Sequence, residues 1–238
     1  MIGVLAMSLL IGHCASPVAR PAFTVVVDAG HGGRDGGAYS SAGSRPEKEA
    51  TLAIATSVAR KLGSSKQVVV IMTRADDRYL SLVARQRIIR SCEPDLVISI
   101  HADSGPPAVR GAAVFLLNEQ GQAVVVDRMM SRSRNDADDE LSFILADIGQ
   151  RQSINYVAPI AGQIQLAIGP RIGRGGLPRF ANLALLKVPG TPSLLIECGF
   201  VSNSADAVDL FTSEGQDRIA GAIAAPIIDA ARRSKLRF

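Results

Sequence analysis

A chain of 238 residues, 47% apolar and 20% charged, has the material for one large domain with its own core, and this composition excludes a mainly disordered chain. A net charge of +4 suits an anionic polymer, but the basic residues are scattered. With no Trp and few aromatics, the chain lacks the stacking surface of a nucleic-acid binder. Cys14, Cys92 and Cys198 are odd in number and far apart, so neither a disulfide framework nor a cysteine zinc site can be read from them; Cys92 and Cys198 read as small core residues.

The chain opens on the apolar run Ile2–Ile11, followed by small residues and prolines through Ala22. That run is too short to span a bilayer and has the size of a signal-peptide core, so residues 1–22 are read as an export segment and no stable transmembrane segment is expected. No Lys or Arg precedes the run, which makes the signal imperfect or places the true start upstream. Leu10–Cys14 resembles a lipoprotein box, but His13 stands where a small residue is expected before the cysteine, which argues against lipidation.

From Phe23 onward, short apolar runs alternate with helical patterns, the signature of a mostly parallel sheet covered by helices, in a single α/β domain spanning 23–238. Strands are expected at Phe23–Asp28, Gln67–Thr73, Asp95–Ile100, Gly111–Leu117 and Ser193–Glu197. Lys48–Gly63 carries Leu52, Ala55, Ala59 and Leu62 at helical spacing, with Gly63 placed to end the helix. A second helix is expected over Leu80–Cys92, closed by Pro94. A last one runs from about Glu214 into the 220s, where Ile219, Ile223 and Ile227 stand four apart and Ser213 can cap. Residues 118–192 look like an insertion, with a helix near Glu140–Arg151 and Gly- and Pro-rich turns around Gly169–Pro178.

In an open parallel sheet, functional groups gather beyond the carboxyl ends of the strands, where the loops converge. The first strand runs into Gly30-His31-Gly32-Gly33, the third into His101-Ala102-Asp103, and the fifth ends at Glu197, so two histidines and a glutamate are expected in one cleft. A hydrolytic zinc site needs three nitrogen or carboxylate ligands and one open position. His31 and His101 supply two. The third would be a carboxylate at the head of the first helix, Glu47 or its neighbour Glu49. Glu197 is then free to act as general base, taking a proton from water and later giving one to the leaving amine. Taken singly, each of these residues is equally readable as a polar loop residue or a strand-end cap, and spacing alone leaves both readings open.

Four ordered segments narrow the choice: Val25-Val26-Val27-Asp28-Ala29-Gly30-His31-Gly32-Gly33, Glu47-Lys48-Glu49-Ala50-Thr51-Leu52, Ser99-Ile100-His101-Ala102-Asp103, and Leu195-Ile196-Glu197-Cys198-Gly199-Phe200-Val201-Ser202-Asn203. Together they resemble the zinc-dependent N-acetylmuramoyl-L-alanine amidases of the cell-division and autolytic type. Thr73-Arg74, Leu82 with Arg85, and Arg110-Gly111-Ala112 also follow that family's pattern. The resemblance implies Zn2+ as cofactor, His31, Glu47 and His101 as its ligands, and Glu197 as the catalytic glutamate. It also implies a reaction, hydrolysis of the amide between N-acetylmuramic acid and L-alanine of peptidoglycan, in the periplasm or cell wall, for wall remodelling or daughter-cell separation. Ala29 stands where the family usually has proline and Cys198 where it usually has threonine; neither position is a ligand. Asp28 and Asp103 are candidates to orient a histidine or simply to stabilise a turn.

Three other readings remain to be weighed. A zinc peptidase or deacetylase acting on another wall amide would use the same metal and base. A non-catalytic peptidoglycan-binding module would not need all four positions. Phosphate loops at Gly30–Gly33 and Gly173–Gly176 lack a P-loop lysine. In cell-division members of the family, a helical insertion covers the zinc until a protein activator displaces it. Here Asn135–Glu140, followed by Leu141, Ile144, Leu145 and Ile148, reads either as such a cover or as an amphipathic surface helix with an acidic first turn.

Overall fold

The computed structural model describes residues 10–11, 22–40, 45–131, 139–172 and 176–234. Its elements are β1 (Leu10–Ile11), β2 (Phe23–Ala29), α1 (Glu47–Gly63), β3 (Val68–Met72), α2 (Leu82–Cys92), β4 (Leu96–Asp103), β5 (Ala113–Leu117), α3 (Glu119–Met130), α4 (Asp139–Ile172), β6 (Arg179–Ala181), β7 (Ser193–Phe200), α5 (Ser204–Phe211) and α6 (Ser213–Ser234). They form one sheet in the order β1-β3-β2-β4-β7-β5-β6. Among the described residues every strand pairing is parallel except β5 against β7. The expected mostly parallel α/β domain is what the chain adopts.

The central strands are apolar on both sides because helices or packed loops cover both faces. All seven positions of β2 are buried. Val25, Val27, Ile98, Ile100, Leu194 and Ile196 point to one face and pack with Ile54 and Val58 of α1, Ile160 and Ile164 of α4, and Ile223 and Ile227 of α6. The alternate positions, Val26, Ile71 and Val97, meet Ile89 and Cys92 of α2 and Leu185 and Val188 on the other face. This second face, less fully covered by helix, is where the polar residues of the strands emerge.

Several elements differ from the sequence reading for local reasons. α2 starts at Leu82 because the Ser81 side chain accepts from the Ala84 N–H and caps it. The hydroxyl capping α6 is that of Thr212, which accepts from Gly215 N, and not Ser213. The helix expected at Glu140–Arg151 is 34 residues long and runs to Ile172 through Pro159. Its second half is buried against the sheet through Val157, Ile160, Ile164 and Ile168, and this packing overrides the weak intrinsic signal. α3 and α5 were not foreseen, although Asn118 and Asn203 cap them with side-chain oxygens. Cys92 and Cys198 are both buried in the core, as small apolar side chains would be. Most of the apolar N-terminal segment with His13 and Cys14, the stretch Asn135–Asp138 that would begin the acidic head of the helix, and Gly173–Gly175 lie outside the described residues. Among the described residues, no helix is long and apolar enough to cross a membrane.

Candidate active site

β4 and β7 lie side by side in register, with His101 opposite Glu197. Both residues sit inside their strands and not beyond them, since β4 runs on to Asp103 and β7 to Phe200. They share the alternation of Val97, Ser99 and Leu195, which turns them toward the α2 face of the sheet.

β2 ends at Ala29, and Gly30 N donates to the Ile100 carbonyl, tying the following loop to β4. Only glycine fits at position 30, because a Cβ there would lie 2.4 Å from His101 Cε1. The next residue, His31, is in the left-handed region at φ 58°, a conformation that costs a non-glycine residue about 1–2 kcal/mol. The loop closes over Glu47 at Gly37, where φ is 67° and a Cβ would stand 2.5 Å from Glu47 Oε2. Lys48 fixes the same loop from the helix side, donating to Gly33 O at 2.8 Å and to Asp77 at 2.7 Å.

These elements bring His31, Glu47 and His101 together, with one potential ligand atom of each within 4.8 Å of the others. Glu47 Oε2 lies 3.1 Å from His31 Nε2, and Glu47 Oε1 lies 3.0 Å from His101 Nδ1. The two carboxylate oxygens also accept from the backbone N–H of Ala38 and Ala102. Burial works against the Glu47 charge, but hydrogen bonds from His101 and His31 outweigh it and hold the carboxyl well below the usual carboxylate range. In return, Glu47 raises His31 above the ordinary histidine value, against the effect of burial. Glu49 takes no part: it is paired on the surface with Arg45 at 2.9 Å.

The sequence reading overlooked Asp35, whose Oδ1 lies 2.9 Å from His31 Nδ1. It orients the imidazole so that Nε2 faces Glu47, as carboxylates commonly do behind a metal-binding histidine. The signal was the spacing of four residues from His31 within a glycine-rich loop. Asp28 and Asp103 do other work. Asp28 accepts hydrogen bonds from Thr73, Arg85 and Ser99 beneath the loop, and Asp103 accepts from Ser104 N.

Glu197 behaves unlike Glu47. Burial pushes its carboxyl up to about 7; the charges of Asp103 and Glu47 add to this, and those of the two histidines oppose it. Its Oε2 is buried and has no hydrogen-bond partner among the described residues, an uncommon state for a buried carboxyl oxygen. Cys198, next in sequence, points into the opposite core, where burial raises its thiol well above its ordinary value. A cavity of about 380 Å3 opens from His31 and His101 along the α2 face, walled by Tyr79, Leu82, Leu183 and Leu195. No described residue of α4 lines it.

An open α/β sheet that gathers two histidines and a buried carboxylate, with a second buried glutamate on the next strand, defines an α/β domain with a cluster that could hold a metal ion. Residues 25–229 match the family model described as N-acetylmuramoyl-L-alanine amidase, and the chain belongs to that family. It is 32% identical over 218 residues to N-acetylmuramoyl-L-alanine amidase AmiA of Escherichia coli, covering 86% of this chain and 74% of that one. It is 32% identical over 214 residues to the probable amidase AmiB of Haemophilus influenzae, covering 83% of this chain but only 49% of that protein. In structure it resembles the amidase AmiC2 of Nostoc punctiforme, with a TM-score of 0.65 and 27% identity, covering 89% of this chain and 98% of that one.

Proposed function

We propose that this chain is a zinc-dependent N-acetylmuramoyl-L-alanine amidase that cleaves peptidoglycan between N-acetylmuramic acid and L-alanine, with zinc held by His31, Glu47 and His101 and with Glu197 as general base. The observation that carries the reading is the His–Glu–His cluster beside a buried glutamate with an unpartnered oxygen. The donor set fits zinc, being two imidazole nitrogens and one carboxylate with a fourth side left open to the cavity. Held by these three residues, zinc would supply Lewis acidity for the carbonyl and the water of the reaction.

The chain's own residues account for the rest. Asp35 holds His31 in one orientation, and the Ala38 and Ala102 N–H groups hold Glu47 as a charged ligand. Glu197, with a carboxyl at about 7, can accept a proton from the attacking water and deliver it to the amine of the departing L-alanine. The cavity beside the site offers an apolar wall of Leu82, Leu183 and Leu195 against which a substrate could lie.

The reading places the domain outside the cytoplasmic membrane, in the periplasm or wall, with residues 1–22 as the export segment. A protein activator of the division machinery is a further expected partner. The decisive experiment incubates the purified chain with sacculi, with and without zinc, and identifies the products by mass spectrometry. An amidase releases intact stem peptides with a new alanine N-terminus and adds no reducing sugar end. Shortened peptides indicate a peptidase, deacetylated sugars a deacetylase, and binding without release a non-catalytic module.

A further inference from the structure

Beneath the loop that carries His31 lie two guanidiniums withdrawn from solvent, Arg74 fully buried and Arg85 at 4% exposure. Arg74 donates to the carbonyls of Ala29, Gly30 and Lys48, to that of Asp76, and to the Thr51 hydroxyl. Arg85 donates to Ala29 O at 2.6 Å, to His31 O at 2.5 Å, to Leu80 O at 3.2 Å and to the Asp28 carboxylate at 2.6 Å. The carbonyls of Ala29, Gly30 and His31, three in succession, are thus held by arginine.

This arrangement is expensive for a purely structural role. Two like charges are buried close together, with Asp28 bonded to Arg85 and no carboxylate bonded to Arg74 among the described residues, and apolar side chains of similar volume commonly serve a core as well or better. What apolar side chains cannot do is satisfy consecutive carbonyls that a strand would alternate between its two edges. The left-handed conformation at His31 needs such an anchor, because the residue has no intrinsic preference for it. Arg74 reaches from the Gly30 carbonyl to Lys48 and Thr51, tying the loop to the helix that begins with Glu47. Among the described residues, Arg85 alone grips the carbonyl of His31 itself.

We infer that Arg85 is a positioning residue for the metal site: its guanidinium fixes the Ala29–His31 backbone in the conformation that presents His31 Nε2 to Glu47 and His101. The inference rests on reading the His–Glu–His cluster as the metal site. Lysine carries the same charge but lacks the planar fork needed to serve Asp28, Ala29 O and His31 O at once, so Arg85→Lys keeps the ion pair with Asp28 and releases His31.

The test compares the unaltered protein, His31→Ala, Arg85→Lys and Arg85→Ala by circular dichroism and thermal melting of the metal-free forms. It then measures zinc dissociation constants by chelator competition and the visible absorption of the cobalt-loaded proteins. Both Arg85 variants are expected to fold yet bind zinc ten- to hundredfold more weakly, the range seen when a residue supporting a metal ligand is removed. Their cobalt spectra should be altered, and added methylguanidinium should restore part of the affinity of Arg85→Ala. Unaltered zinc affinity and cobalt spectrum in either folded variant overturns the positioning role. Failure of both variants to fold also overturns it, by assigning Arg85 to the stability of the sheet. If the unaltered protein binds no zinc, or His31→Ala binds it equally well, the metal-site reading itself fails and takes the inference with it.

Discussion

Glu47 and Glu197 are both glutamates at one end of the sheet, yet their surroundings drive them apart. Glu47, gripped by two imidazoles and two backbone N–H groups, stays charged, whereas Glu197, buried without a partner for Oε2, is pushed up to about 7. Such a split commonly separates a ligand from a proton-transfer group. Glu197→Gln should therefore bind zinc as tightly as the unaltered protein while losing turnover on sacculi by roughly a hundredfold or more. Loss of the metal in that variant would place Glu197 among the ligands. The same split has a signature in the metal-free protein. Between about 4.5 and about 7, Glu197 stays protonated in the fold while it ionises in the unfolded chain, so stability falls as pH rises and levels off above 7. The change attributable to it is at most roughly 3 kcal/mol. His31, raised by Glu47, acts in the same direction, its contribution being present below the ordinary histidine value and lost as pH rises past its folded value. Denaturant melts of the unaltered protein and of Glu197→Gln across this range isolate the Glu197 part as the difference between the two slopes, and identical slopes would refute it. Asp35→Ala, by freeing the His31 ring, should weaken zinc binding ten- to hundredfold in a chelator competition and leave the fold intact.

Among the elements, α4 combines two unlike halves. Val157, Ile160, Ala161, Ile164 and Ile168 are buried against the sheet, while Leu141, Phe143, Ile144, Leu145 and Ile148 are exposed to between 45% and 60%. The first set follows the helical period that faces a core, and the second lies on the part of the helix that projects past it. Ile164→Ala should cost about 2–5 kcal/mol of unfolding free energy, whereas Leu145→Ala should change it by no more than about 0.5 kcal/mol. Equal effects in urea melts would mean that the projecting half is covered in solution. α2 also serves more than packing. Its Arg85 reaches under the His31 loop while Ile89 and Cys92 fill the core between it and the sheet.

In the molecule as a whole, the apolar clusters on the two faces of the sheet are built without the site residues, so the fold is expected to persist without a metal. Removing zinc with a chelator should abolish hydrolysis of sacculi while far-UV circular dichroism and a cooperative melt persist. Unfolding on chelation would show that the metal holds the domain together. Sequence alone determined the α/β class, because strands covered on both faces must be continuous apolar runs, and those of β2, β3, β4 and β7 are unmistakable. It also singled out His31, His101 and Glu197, since few titratable residues follow or end such runs, and the ordered motifs favoured Glu47 over Glu49. Tertiary structure alone decided the rest. The antiparallel pairing of β5, the length of α4 and the arginine grip under the loop all depend on residues far apart in the chain or on burial, and the partnership of Asp35 with His31, though local, depends on how the glycine-rich loop turns. A carboxylate's proton affinity and a helix's extent are set by what packs around them, and local sequence patterns do not carry that information.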